Sequence, residues 1–246
     1  MYKRQANVES QLARVDLSQA LRNQAVCVRT ANGQFRTVFE EVYMHIPHLR
    51  ELLNTDVDFL SNPWLFKYLT QLLDMRMLDM LGKQKQSLLA APVSINVNAA
   101  TLLSDQFLEF DAMLDTTQKV AVVFEIPVVD AFADTHGFIA ACKSAQSLGY
   151  RVCLDGINEM SFLQTPPEAF GADLVKLQWN ASPGTELSSE EKKQLVTAAK
   201  NVGSKRLILC RCDNQDAIDY GRALGVSLFQ GRWLDQQIEP DQAQVN

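Results

Sequence analysis

The apolar runs of this 246-residue chain predict an α/β protein: a closed (βα)8 TIM-like barrel with one antiparallel strand. Three observations carry the prediction. Eight short strand-like runs recur along the chain. Helix-like stretches or long connections separate the last six, which implies a parallel sheet. The first two are joined across Asn32-Gly33, the dipeptide that best suits a tight hairpin, so the sheet opens antiparallel. Eight strands in roughly 210 residues fit a barrel. An open doubly wound sheet is the rival, but no Gly-rich phosphate loop follows an early strand.

The elements follow in order. Residues 1–15 are polar and read as a linker or partial helix ahead of a barrel over 16–235. Residues 25–29 and 35–42 form the hairpin. Residues 64–81 carry apolar side chains at helical spacing (Trp64, Leu65, Tyr68, Leu69, Leu72, Leu73, Met77, Leu78 and Leu81) after an Asn62-Pro63 start. Strands are then expected at 93–97, 121–126, 151–155, 174–177, 206–210 and 226–229. Helices are expected at 131–148, 189–202 and 214–224, each stopped by a glycine (Gly149, Gly203, Gly225). Ser188-Ser189-Glu190-Glu191 supplies a cap and first-turn acids for the second of these. Residues 236–246 read as a flexible tail.

Composition narrows the function classes. Hydrophobic residues make up 47% and charged residues 21%, the balance of an ordinary globular protein. The net charge of −6 disfavours broad binding to DNA, RNA or anionic membranes. No apolar run reaches the roughly 20 residues of a membrane span, and the first residues lead into no signal-peptide core. The five cysteines are odd in number and mostly lie in strand-like runs, so they read as reduced, buried residues of a cytoplasmic protein. Cys210-Arg211-Cys212 has no second pair to complete a zinc clip.

Four strands carry a polar residue where a buried strand should have none: Asn96, Glu125, Asp155 and Lys176. A buried polar or charged group is costly unless it is paired, hydrogen-bonded or metal-bound. Barrels place their sites at the C-terminal strand ends, where all four lie, with Gln230 after Leu228-Phe229 and Glu40-Glu41 closing the second strand. An Asn, a Glu and an Asp at one mouth supply hard oxygen ligands for Mg²⁺, Mn²⁺ or Ca²⁺, and a Lys can orient phosphate or water. The plainer reading is a self-satisfied polar cluster, with Lys176 paired to Glu125 or Asp155.

The order of these segments resembles the EAL domain, the cyclic di-GMP phosphodiesterase family, over residues 16–235. Asn96 in Ser94-Ile95-Asn96-Val97-Asn98, Glu125 in Phe124-Glu125-Ile126, and Asp155 fall on its Asn, Glu and paired-Asp positions. Lys176 in Asp173-Leu174-Val175-Lys176 falls on its Asp-x-x-Lys motif, and Gln230-Gly231 on its late Gln-Gly. The resemblance implies a barrel with one antiparallel strand, metal ligands at Glu40, Asn96, Glu125 and Asp155, a Lys176 that contacts water and phosphate, and ligand contacts from Gln230 and Asp213. The departures are as clear. Glu-Ala-Leu reads Phe39-Glu40-Glu41-Val42, so either Glu can be the ligand. Tyr43-Met44-His45 stand where a phosphate-binding Arg is expected. Val128, Gly156 and Cys210 replace three acids of the family motifs.

Two-metal hydrolysis needs enough carboxylate charge to hold both cations and activate a water. Each lost contact in such a site costs ~10²–10³ in rate. The resemblance with these losses implies a degenerate, non-hydrolysing signalling module, without cofactor or with weakly bound Mg²⁺ or Mn²⁺. Such a module works through a protein partner or by sensing cyclic di-GMP; homodimerisation stays open. The alternative is an active phosphodiesterase with an atypical site, giving linear pGpG. A Schiff-base enzyme using Lys176 is disfavoured, because neighbouring carboxylates raise rather than depress the pKa of a lysine.

Overall fold

The computed structural model describes Leu12 and residues 14–53, 63–88, 90–180 and 187–238. Much of the expected leader and tail, and the Asn62 half of the Asn62-Pro63 start signal, lie outside the described residues. Eight strands close a barrel in sequence order: β1 (Leu21–Arg29), β2 (Phe35–Met44), β3 (Val93–Asn96), β4 (Val122–Pro127), β5 (Arg151–Ile157), β6 (Leu174–Gln178), β7 (Leu207–Cys210) and β8 (Leu228–Gln230). Only β1 is reversed: it pairs antiparallel with both β2 and β8, and the other six pairings are parallel. This is the expected architecture, and the Asn32-Gly33 turn accounts for the reversal, with Gly33 at φ 89°.

Two side-chain layers fill the barrel. The lower one is apolar: Val26, Phe39, Val123, Cys153, Leu174, Ile208 and Leu228 form one buried cluster. One alternation further along each parallel strand come Glu41, Glu125, Asp155, Lys176, Cys210 and Gln230. Strand side chains alternate between faces, so a residue two positions beyond a barrel-filling one also points inward. The opposite faces carry Val42, Ile95, Phe124, Val152, Val175, Leu209 and Phe229 into the main core under the helices. Phe107, Phe110, Phe124 and Tyr150 interlock there, with Phe124 and Tyr150 centroids 5.0 Å apart.

The helices are α1 (Ile46–Leu52), α2 (Pro63–Lys83), α3 (Lys85–Leu88), α4 (Asp105–Met113), α5 (Thr116–Val120), α6 (Val128–Ala133), α7 (Thr135–Ser147), α8 (Glu159–Gln164), α9 (Ser189–Val202), α10 (Gln215–Ala223) and α11 (Arg232–Asp235). The capping box expected before α9 forms between Ser188 and Glu191. The single helix expected over 131–148 is two. Asp134 leaves the helical region (φ −148°, ψ 87°) and its carboxylate accepts from the Gly137 N–H at 2.9 Å, so it caps α7 instead of continuing α6. A satellite cluster of Leu12, Leu17, Ala20, Leu49, Leu53, Leu65, Leu69 and Leu73 packs α1 and α2 beside the mouth.

The Gln230-Gly231 step has a steric reason. A Cβ at Gly231 would lie 2.3 Å from the backbone N and O of Cys212. Glycine thereby lets β8 approach the loop after β7, and the Cys212 N–H donates to the Gln230 carbonyl at 2.9 Å. Gly231→Ala is expected to lower unfolding free energy by ~3 kcal/mol or more, because the obstructing atoms are backbone. Gly149→Ala, at φ 98° with nothing within 4 Å of the added Cβ, should lose only ~1–2 kcal/mol. Urea unfolding of both variants measures the difference.

Candidate functional site

The polar layer converges on Glu41. Its Oε1 accepts from Asn96 Nδ2 at 2.7 Å, and its Oε2 accepts from Gln230 Nε2 at 2.6 Å and from Lys176 Nζ at 2.7 Å. The same ammonium donates to Glu125 Oε2 at 2.6 Å. Lys176 is 2% exposed and Glu125 fully buried. Glu125 Oε1 has no hydrogen-bond partner. Asp155 stands at the next strand end and accepts from the Gly156 N–H.

Burial is the strongest influence on every acid here, and neighbours decide the outcome. Burial pushes Glu125 up to about 8; Lys176 opposes this, while Glu41 and Asp155 add to it. Burial would also raise Glu41, but Lys176, Asn96 and Gln230 outweigh it and hold that carboxyl below its ordinary value. Lys176 would lose its proton to burial alone, yet Glu125, Glu41 and Asp155 hold it well above the ordinary lysine value. Asp155 is raised, chiefly by burial. The centre is therefore a Glu41–Lys176 ion pair beside a Glu125 whose hold on a proton is raised by burial.

Two cavities open from this centre. One, of about 460 Å³, is polar and includes Asp155, Lys176, Gln178, Arg211, Asp213 and Arg232 in its lining. Asp213 and Arg232 form a fork, Nε–Oδ1 3.2 Å and Nη2–Oδ2 2.9 Å. Arg211 has φ 63°, the one positive φ at a non-glycine among the described residues. That conformation costs ~1–2 kcal/mol in an L-residue. The other cavity, about 540 Å³, lies between the mouth and α2, with apolar walls from Met44, Phe66, Leu73, Met77 and Val129. Asp74 anchors its edge: Oδ2 accepts from the Asn98 N–H, Asn98 Nδ2 and Thr101 Oγ1, each at 2.7 Å. Burial outweighs these donors and pushes Asp74 up to about 6. Lys67 bridges to Asp130 at 2.5 Å, and Asp130 also accepts from the Ala99 N–H.

Most of the anticipated residues meet. Asn96, Glu125, Lys176 and Gln230 join one network, with Asp155 in the same layer. Glu40 does not. It sits one residue out of phase on β2, faces outward, and accepts from Asn23 Nδ2 at 2.8 Å. Glu41, in phase with the barrel-filling Phe39, takes the inner position; the two-residue strand period was the available signal. Asp213 lines the polar cavity, but its carboxylate is held by Arg232. The positions of two replaced acids are neighbours: a Cβ on Gly156 would lie 3.5 Å from Gln178 Nε2 and 4.0 Å from Val128 Cγ1. Cys210 is buried, and its Sγ donates to the Leu177 carbonyl. The Asp74–Asn98–Thr101 and Lys67–Asp130–Ala99 contacts were invisible in the sequence, since each spans 24 to 63 residues.

As ligands for a hard divalent cation, Glu41, Asn96, Glu125 and Asp155 fit in donor type, and the unpartnered Glu125 Oε1 is a free acceptor. They do not fit in charge. The Lys176 ammonium already bridges the two glutamates, and no three His, Cys, Asp or Glu side chains among the described residues converge to hold a metal.

Lys176→Met should cost ~3–5 kcal/mol of stability, because it leaves two buried carboxyl groups without their cation. Adding Glu41→Gln and Glu125→Gln should recover part of that loss in urea unfolding. The raised value of Glu125 also sets a pH dependence. Its folded state binds a proton more tightly than the unfolded chain, so its contribution is full below about pH 4.5 and is lost as pH rises towards 8. Asp74 acts similarly only up to about 6. Glu125→Gln is expected to flatten the fall in stability between pH 6 and 8.

No protein-family model matches the sequence, and no curated protein matches it. Solved structures match the fold. Vibrio cholerae LapD, as an S helix-GGDEF-EAL chain bound to c-di-GMP, aligns at TM-score 0.62 and 17% identity, over 94% of this chain and 57% of that one. The Xanthomonas citri FimX EAL domain in complex with c-diGMP aligns at TM-score 0.59 and 11% identity, over 94% and 92%. Klebsiella pneumoniae BlrP1, a manganese/cy-diGMP complex, aligns at 0.57 and 12%, over 88% and 56%. The chain thus spans little more than half of the LapD and BlrP1 chains. At these identities the likeness concerns the fold: the chain has the EAL-type barrel, with one reversed strand in an otherwise parallel closed sheet.

Proposed function

We propose that this chain is an EAL-type module of cyclic di-GMP signalling that binds and regulates rather than hydrolyses. The observation that carries the reading is the shortage of acid at the mouth: Glu41, Glu125 and Asp155 remain, with Lys176 Nζ 2.7 Å from Glu41 and 2.6 Å from Glu125. Two-metal hydrolysis needs enough carboxylate charge to hold both cations. Gly156, Cys210 and Val128 remove further acid from the same mouth. Glu41, Asn96, Glu125 and Asp155 would hold at most one divalent ion, weakly and in competition with the ammonium.

Action through a protein partner draws support from the mouth-side connections. Val129 (63% exposed) and Phe132 (51%) on α6, and Met160 (37%) on α8, present apolar side chains to solvent. Exposed apolar groups rimmed by polar ones are typical of interaction faces. Nucleotide sensing draws support from c-di-GMP in the LapD and FimX structures and from the two cavities beside the polar centre.

A second reading, an active phosphodiesterase with an atypical site, is favoured by one observation: the buried, unpartnered Glu125 Oε1, which is free to take a ligand. Incubation at high protein concentration with cyclic di-GMP and Mg²⁺ or Mn²⁺ separates the two. The binding reading expects no linear pGpG. Product that disappears in Glu125→Ala would establish the enzyme. Calorimetry with cyclic di-GMP then divides the modes of action: micromolar or tighter binding indicates a sensor, and none indicates a module that acts through protein contacts alone.

A further inference from the structure

We propose that the ends of β6 and β7 form a metal-independent site for a nucleotide phosphate, built from Arg211 and Gln178; this rests on the binding, non-hydrolysing reading above. The first observation is the backbone. Arg211 keeps φ at 63° although a glycine would hold that conformation without a clash. The chain is pinned on both sides: the Trp179 N–H donates to the Cys210 carbonyl at 3.0 Å and the Cys212 N–H to the Gln230 carbonyl at 2.9 Å. A strained conformation held by its surroundings at the mouth of a site points to a use for the side chain.

The second observation is an uncommitted pair of donors. Arg211 is exposed and lines the polar cavity of about 460 Å³. Its guanidinium has no hydrogen bond or ion pair to another described residue. Asp155 and Asp213 lie within electrostatic reach, but Asp213 is held by the Arg232 fork and Asp155 accepts from the Gly156 N–H. Gln178 pairs in register with Cys210 across β6 and β7, so its side chain and Arg211 stand at adjacent strand ends. The Gln178 amide lies 3.5 Å from where a Gly156 Cβ would be and likewise has no hydrogen-bond partner among the described residues. Two of the three Lys176 N–H groups are already given to Glu41 and Glu125, and its charge is met there.

The third consideration is chemical. A planar guanidinium and an adjacent amide present several N–H groups to one oxyanion, the geometry in which arginine binds phosphate. Asp155 faces the same cavity and confines an anion to the Arg211 side. Bound nucleotide would place its phosphate there with no divalent ion. Free phosphate offers the same chemistry, and the test separates the two.

The test is calorimetry of the full chain in EDTA, with cyclic di-GMP and separately with inorganic phosphate as probes. Cyclic di-GMP is expected to bind the unaltered protein. Arg211→Ala and Gln178→Ala should each weaken it about 10-fold or more, the scale of a charge-assisted contact. Arg211→Gly should weaken binding as much while raising the urea midpoint, because it relieves the backbone; a purely structural arginine would not couple those opposite changes. Saturation by phosphate alone with the same Arg211 dependence would overturn the nucleotide assignment. Unchanged affinity in Arg211→Ala, or no binding of either probe, would overturn the site. Release of pGpG with Mn²⁺ would instead sink the non-hydrolysing reading and leave the Arg211 effect in EDTA standing, so the two failures are distinguishable.

Discussion

One buried ammonium organises the barrel mouth. Lys176 on β6 joins Glu125 on β4 to Glu41 on β2, and Glu41 in turn receives Asn96 from β3 and Gln230 from β8. Four strand ends meet at the Glu41 carboxylate, and the Lys176 ammonium adds a fifth through Glu125. Burying these charges is expensive, and hydrophobic residues of similar volume would cost less. What the cluster supplies is position. Each side chain has one geometry in which its charge is met, so the upper layer is held in register above an apolar layer that would tolerate sliding.

The same ammonium fixes the electrostatic character of the site. Its charge sits among the Glu41 and Glu125 carboxyls, 2.7 and 2.6 Å away. The remaining polarity of the mouth has moved outward, to Arg211, Gln178 and the Asp213–Arg232 fork on one side. On the other side, Asp74 and Asp130 brace the loop after β3 against α2 and α6 by accepting backbone N–H groups at Asn98 and Ala99. Both acids line the apolar-walled cavity between α2 and the barrel.

Legibility followed the range of the interaction. Strand runs, glycine stops and the Asn32-Gly33 turn are local signals, and the barrel built from them stands. Asn96, Glu125, Asp155, Lys176 and Gln230 were visible because a polar residue interrupting an apolar strand is conspicuous wherever it lies. Glu40 and Glu41 were not separable by type, only by phase with Phe39. The break at Asp134 was missed because an aspartate that caps one helix reads the same as one inside another. Asp74, Asp130 and Lys67 looked like ordinary charged helix positions.

Residue order and periodicity alone determined the fold class, the reversed first strand and the polar layer at the strand ends, because these depend on propensities and alternation within a few residues. Tertiary structure decided what that layer is. Whether Lys176 is free or bound, which glutamate it meets, and that Arg211 is held at a positive φ with its guanidinium uncommitted all depend on groups brought together across the barrel. Glu41 and Lys176 are 135 positions apart in the chain and 2.7 Å apart in space. The charge state of a buried group is set by that separation in space, which local sequence does not encode.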